Sequence, residues 1–287
     1  MRSAVLAGVL LVSVAGASLA QSNAGSPVEG CGEIVTIETH DRTTTRYALA
    51  RPQGAQAQGE GIALVLLVGG GGYLDLDDKG CSRALTGNSL VRSLPHFHGA
   101  GFVTALVDAR SDHPGEDGLA GLRIMPRHAD DLGRVIADVR ARTKAPVWLV
   151  GTSRGAISAA NAASRLVGPS APDGLVLTSP VTSGAPGRKQ WVAQTVFDLQ
   201  LEAIRMPVLV IGHAADTCVR SPPGFIGKIT ARTSGTREQA VTVTGGPGGP
   251  AGAPSVEACL GRSPHGFIGQ EAEVAAGMAR FIRGGSY

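Results

Sequence analysis

The chain has 287 residues, 43% of them hydrophobic and 17% charged, with a formal net charge of +3. Its lysines and arginines are scattered, without a basic run or an aromatic-interleaved stripe, which argues against a nucleic-acid partner. Four cysteines, in spacings that match no zinc motif, predict two disulfides with three connectivities open.

The chain opens Met1-Arg2, continues with an apolar stretch from Ala4 to Ala15, and then reads Gly16-Ala17-Ser18-Leu19-Ala20-Gln21. One positive charge, a short apolar core and small residues at Ser18 and Ala20 predict a secretory signal peptide over residues 1–20, cleaved after Ala20. The apolar core is too short to span a bilayer, and Cys31 lies too far downstream for a lipid anchor. The expectation is an exported protein, periplasmic or secreted, without stable membrane insertion. Residues 21–30 read as a disordered N-terminal segment, and residues 31–287 as one large domain with ample length for a core.

Glu33 to His40 and Thr44 to Ala50 are β-rich runs separated by Asp41-Arg42, the pattern of a hairpin. Gln53 to Gly61 reads as a loop. Ile62 to Val68 is a continuous apolar strand, Ser89 to His98 a short helix, and Phe102 to Val107 a strand. His128 to Arg142 is amphipathic, with Leu132, Val135, Ile136 and Val139 on one helical face. Val147 to Val150 is a strand, and Ala156 to Leu166 a helix rich in small residues. Gly174 to Leu177, Pro207 to Ile211 and Ala240 to Thr244 are further strands, and Glu271 to Ile282 is the closing helix. Residues 181–205 are the one insertion long enough for a small cap, and Gly245 to Pro254 reads as a loop. A hairpin followed by apolar strands alternating with helices predicts an α/β fold, a mostly parallel sheet covered on both faces.

Between the strand ending at Val150 and the helix after it stands Gly151-Thr152-Ser153-Arg154-Gly155. A G-x-S-x-G pentapeptide in strand–turn–helix context is the setting of a nucleophile elbow. The serine sits there on a sharp, strained turn, and side chains at positions 151 and 155 would collide across it, so glycine fills both. A serine hydroxyl is a weak nucleophile that needs a base, itself oriented by a third group. Asp216, just past the strand Pro207 to Ile211, and His265, in the loop before the closing helix, follow in the order Ser, Asp, His. Both loops lie at the carboxyl ends of parallel strands, where open α/β sheets place their sites. Each residue also has a plainer reading, Asp216 as a helix cap and His265 as a structural histidine. His265 has no competitor, being the only histidine after His213.

An acyl-transfer oxyanion needs two preorganised N–H donors. One is expected from the backbone of Arg154, the other from Gly70 or Gly71 in Val68-Gly69-Gly70-Gly71-Gly72-Tyr73. No Gly-Lys-Ser/Thr follows those glycines, so they are not a phosphate loop. If Asp216 and His265 meet, Cys218 and Cys259 lie close, which predicts a Cys218–Cys259 bridge and, by elimination, Cys31–Cys81. His96-Phe97-His98 lacks the carboxylates of a metal pair. Asp75, Asp77, Asp78 and Asp130-Asp131 read as solvated faces or caps. His213 is expected to line the pocket, and Arg123 and His128 to reach the site.

Over essentially the whole mature length the chain resembles the α/β-hydrolase superfamily. Gly151-Thr-Ser-Arg-Gly155, His213-Ala-Ala-Asp216-Thr-Cys218 and Ser263-Pro-His265-Gly266 look like those of exported bacterial members whose substrates are generally unassigned. Many relatives carry His-Gly where this chain has Val68-Gly69. The resemblance implies Ser153 as nucleophile, His265 as base and Asp216 as orienting acid. The expected activity is that of a carboxylesterase-like serine hydrolase, cleaving a small-molecule ester or related acyl bond through an acyl-enzyme, without metal or organic cofactor. A peptidase or amidase using the same triad stays open. A lipase would want a larger, more apolar lid than residues 181–205 supply, and a dehalogenase would want aspartate at position 153. A binding protein on a hydrolase scaffold need not retain all three residues.

Overall fold

The computed structural model describes residue 1 and residues 31–52, 61–184, 190–247 and 252–287. The signal peptide expected over 1–20 falls outside the described residues apart from Met1, as do the segment 21–30 and parts of the 53–61, 181–205 and 245–254 segments.

Strands β1 (Glu33–Glu38) and β2 (Thr44–Ala50) pair antiparallel around a turn at His40–Arg42. β2 also pairs antiparallel with β4 (Val103–Val107). From β4 onward the sheet is parallel, through β3 (Ala63–Leu67), β5 (Val147–Thr152), β6 (Gly174–Thr178), β7 (Val208–His213) and β8 (Glu238–Val243). The spatial order is β1-β2-β4-β3-β5-β6-β7-β8, the opening hairpin and six parallel strands that the sequence pattern predicts.

The helices are α1 (Ser89–Gly99), α2 (Pro126–Thr143), α3 (Gly155–Arg165), α4 (Ile226–Thr230) and α5 (Glu271–Ile282). Side chains alternate across the sheet, which explains why the strands read as unbroken apolar runs: both faces are covered. Val65, Leu149 and Val210 face α2, α3 and α4 in one core layer. Leu64, Trp148 and Leu209 face α1 and α5 in the other, with Phe97, Met278 and Phe281. Ala156, Ala159, Ala160 and Ala163 on α3 are all buried. Their small side chains let this helix approach β5 closely.

Helix α4 has no counterpart in the sequence reading. It is a single short segment behind Pro222-Pro223 that buries Ile226 and Ile229, too brief to show helical periodicity. β8 starts at Glu238, two residues before the strand read from the sequence at Ala240, whose apolar signal the charged and exposed first residue does not carry. Within the insertion, Val196, Leu199, Leu201 and Ile204 are buried in the main core, and Thr195 and Asp198 form a capping box. Disulfides join Cys31 to Cys81 and Cys218 to Cys259, at Cα–Cα distances of 4.9 and 4.5 Å. Both match the predicted connectivity, and two disulfides suit an oxidising compartment. Among the described residues no helix is long and apolar enough to cross a membrane.

Candidate active site

Ser153 sits between β5 and α3 with φ of +51°, in the left-handed region that non-glycine residues seldom occupy. Both flanking glycines are sterically required, Gly151 by a clash across the turn as the pentapeptide implies and Gly155 by the neighbouring strand β3 instead. A Cβ on Gly151 would lie 2.5 Å from the Gly155 carbonyl oxygen, and one on Gly155 would lie 2.0 Å from that of Leu67. The turn is held by the Ser153 N–H, which donates to Thr178 O at 2.9 Å. A third glycine matters that the sequence reading left aside: a Cβ on Gly69 would lie 2.8 Å from that of Ser153.

Asp216 and His265 meet. The His265 Nδ1–H donates to Asp216 Oδ2 at 2.8 Å, with both side chains almost wholly buried. Asp216 Oδ1 accepts the Cys218 N–H at 2.8 Å, so both carboxylate oxygens are engaged. With its proton on Nδ1, the imidazole presents an unprotonated Nε2, which is buried and makes no hydrogen bond among the described residues. Ser153 and His265 line the same cleft, about 360 Å³ in volume, with Gly69, Gly70, Leu85 and Leu260. Ser153 Oγ and His265 Nε2 are not hydrogen-bonded to each other, a common looseness of unliganded sites.

The loops bearing these residues are fastened from several sides. Ser263 caps the short turn of His265, and Ser179 Oγ donates to His265 O at 2.8 Å. Arg92 on α1 donates to Gly261 O at 2.9 Å and Gly266 O at 2.6 Å while paired with Glu271 at 2.7 Å. The Cys218–Cys259 bridge joins the Asp216 loop to the His265 loop, and beside it the Val219 N–H donates to Ser255 O while the Ser255 N–H donates to Thr217 O. Nothing local in the sequence marks Arg92; its partners are about 170 residues away.

The glycine loop resolves the two donor candidates differently. Gly69 O accepts from Gly72 N at 3.1 Å, closing a turn with Gly70 at φ +58°. In a trans peptide this pins the Gly70 N–H in the opposite direction. Gly70 lines the cleft, whereas Gly71 does not. A Cβ on Gly71 would strike the Glu116 carbonyl at 2.1 Å, so this glycine permits contact with the 115–119 loop.

Arg123 and His128 lie behind that loop, not in the cleft. Arg123 Nη2 donates to Val68 O and Gly70 O, each at 3.2 Å, and Nη1 to Ser158 Oγ at 2.8 Å. His128 Nε2 is 2.9 Å from the same hydroxyl. Burial, reinforced by Arg154, draws the Arg123 pKa down to about 9, and burial with Arg123 alongside draws His128 down to about 3. His213 is also a structural residue. Its Nδ1 accepts from Ala215 N and its Nε2 contacts Gln270 at 2.9 Å. Asp131 is no solvated face: it is buried against His40 at 2.5 Å and Arg110 at 3.1 Å. Asp77, by contrast, caps Lys79 N and Cys81 N as a turn aspartate does.

No protein-family model matches the chain, and comparison with curated sequences finds no match. Solved structures do match. DcsB in complex with a substrate analogue superposes with a TM-score of 0.60 at 16% identity, covering 88% of this chain and 98% of that one. XC6422 from Xanthomonas campestris, described as a lidless α/β serine hydrolase, gives 0.54 at 18% identity over 86% and 95%. Est1E from Butyrivibrio proteoclasticus, bound to ferulic acid, gives 0.55 at 14% identity over 84% and 98%. The chain has the α/β-hydrolase fold.

Within the α/β-hydrolase fold, Ser153, Asp216 and His265 occupy the loops after β5, β7 and β8. Metal binding does not suit these residues. The one cluster of potential ligand atoms among the described residues is Asp216, Cys218 and His265. Cys218 has no thiolate to offer because it is disulfide-bonded, and Asp216 and His265 are engaged with each other. His98 contacts Thr104 at 2.8 Å and belongs to no such cluster.

Proposed function

We propose that this chain is an exported serine hydrolase that cleaves a carboxylic ester or related acyl bond. In this reading Ser153 Oγ attacks the carbonyl carbon while His265 Nε2 takes its proton. Asp216 holds the Nδ1–H tautomer and stabilises the imidazolium that forms. The Arg154 and Gly70 N–H groups receive the developing oxyanion. His265 then protonates the leaving group, and a water that it activates releases the acid from the acyl-enzyme. The chemistry calls only on side chains and backbone amides.

The observation that carries the reading is the buried 2.8 Å contact of His265 Nδ1 with Asp216, which leaves an unpartnered Nε2 beside the cleft shared with Ser153. The strained φ at Ser153 adds support, since such strain concentrates at functional positions. Export rests on the predicted signal peptide and agrees with the two disulfides. The test is a panel of 4-nitrophenyl esters and matched anilides of increasing acyl length. The mature protein should cleave at least one ester, and Ser153→Ala should abolish the activity. Faster turnover of the anilides would shift the reading to an amidase, and equal activity in Ser153→Ala would refute a serine mechanism.

A further inference from the structure

The cleft that holds Ser153 and His265 has no aspartate or glutamate in its lining, and one cation, Arg262, on the same loop as His265. The other polar side chains of that lining are already committed. Asn88 Oδ1 accepts the Leu90 N–H at 3.0 Å, Ser89 and Thr152 bond each other at 3.3 Å, and Ser153 and His265 are the reacting pair. Arg262, by contrast, makes no hydrogen bond or ion pair among the described residues. Its stem nevertheless has a seat. A Cβ added to Gly87 would lie 3.5 Å from both Cγ and Nε of Arg262, so the side chain rests on the Gly87 backbone at the cleft wall. Arg92 ties Gly87 O to Gly261 O beneath it, and that guanidinium is paired with Glu271. Helix α1 begins at Ser89 on the same wall, with no acid in its first turn, so its terminal dipole adds to the positive field of Arg262.

A guanidinium stays charged at any ordinary pH and offers a planar fork of N–H donors without an acceptor. An acid-free cleft with such a fork unspent on its wall is complementary to an anion. We propose that Arg262 is a specificity-determining residue that binds a carboxylate on the alcohol portion of the substrate, making the favoured substrates O-acyl esters of hydroxy acids. This deepens the serine hydrolase reading and rests on it. The side of the ester follows from the catalytic roles. The carbonyl oxygen is directed to the Arg154 and Gly70 N–H groups, and the leaving oxygen must lie beside His265 Nε2 to receive its proton. The alcohol portion therefore runs along the His265 loop, past Leu260 and Arg262. Leu260, 66% exposed, supplies an apolar surface for its body. Arg262 meets the carboxylate at its end through two parallel hydrogen bonds.

The test compares butanoyl esters of 3-hydroxybenzoate, 4-hydroxybenzoate and 4-hydroxyphenylacetate with the same esters carrying a carboxamide in place of the carboxylate. Each rate is divided by that of uncatalysed hydrolysis, and the readout is the ratio of kcat/KM for acid over amide. For at least one pair the wild-type ratio should exceed about fivefold, the scale of a well-formed exposed ion pair, and it should shrink as salt is added. It should fall to about one in Arg262→Gln, and Arg262→Glu should prefer the 4-aminomethylphenyl ester. A merely structural defect would lower both activities and leave the ratio unmoved. A wild-type ratio near or below one for every pair, or a ratio unchanged in Arg262→Gln, would overturn the proposal while leaving the hydrolase reading intact. So would an Arg262-dependent preference confined to 4-nitrophenyl half-esters of succinate or glutarate, which carry the charge on the acyl side. Should no ester be cleaved, binding of 3-hydroxybenzoate and 4-hydroxybenzoate to Ser153→Ala is measured by calorimetry at low salt. Binding lost in the Ser153→Ala, Arg262→Gln double variant would uphold the subsite while the hydrolase reading fails, and absence of such binding would overturn the subsite as well.

Discussion

Replacing Arg123 with methionine tests whether the glycine loop is held in place from behind. Arg123 brackets the peptide that carries the Gly70 N–H, through 3.2 Å contacts to Val68 O on one side and Gly70 O on the other. A third bond, at 2.8 Å, fixes the guanidinium to Ser158. Hydrogen bonds from a charged donor contribute about 1.5–3 kcal/mol each, so three of them set a gross loss of about 5–9 kcal/mol. Methionine also removes a buried cation that has no carboxylate partner among the described residues, a relief of several kcal/mol. The net cost to stability is then about 2–3 kcal/mol, measurable by urea denaturation. The kinetic effect is of about the same size in free energy. Deleting an oxyanion donor costs about 10²–10³ in kcat, and loosening one should reach the lower end of that range. With a neutral 4-nitrophenyl ester, kcat should fall about 10²-fold with KM nearly unchanged, and Arg123→Lys should not restore it, because one ammonium cannot span both carbonyls. A kcat within about threefold of wild type, alongside the loss of stability, would refute the bracing role.

Asp216→Asn should lower kcat by about 10⁴-fold through the wrong imidazole tautomer, with little change in stability; a fall of less than tenfold would remove Asp216 from the mechanism. Replacing Cys218 and Cys259 with alanine opens a loop of 41 residues and should cost about 4 kcal/mol of stability, as should the 50-residue Cys31–Cys81 pair. Only the former joins the Asp216 and His265 loops, so kcat of the folded variants should drop in that pair alone. His128 is held neutral in the fold, its pKa drawn from 6.5 to about 3. Below about pH 6.5 the unfolded chain therefore binds a proton that the folded chain refuses. This makes stability fall as pH drops from about 6.5 towards 3, by about 1.4 kcal/mol per pH unit. Between pH 7 and 5 the His128→Gln variant should lose about 2 kcal/mol less than wild type, and identical pH slopes would contradict the assignment.

The sequence was most legible where chemistry and periodicity coincide. Apolar runs such as Ala63–Leu67 announce strands buried on both faces, and the pentapeptide around Ser153 announces its turn because the demand for glycine at position 151 is local, whereas that at Gly155 comes from Leu67 on β3. Asp216 and His265 were identifiable from their order and loop positions, although they are 49 residues apart. What escaped the sequence was set by distant contacts. Arg92 carries no motif, and its role comes from the carbonyls of Gly261 and Gly266 that the fold brings to it. Arg123 and His128 were expected in the cleft because they follow β4 at its functional edge. Their side chains instead turn inward to Ser158, behind the glycine loop. His213 lies three residues before the acid in sequence yet turns to Gln270 and does not line the cleft.

The central claim is that Ser153 is a nucleophile activated by His265. It is tested most directly by treating the mature protein with a fluorophosphonate and mapping the adduct by mass spectrometry. The account predicts one covalent adduct per chain, on the peptide containing Ser153, absent in Ser153→Ala and strongly slowed in His265→Ala. No adduct on the wild-type protein, or equal labelling of Ser153→Ala, would contradict it.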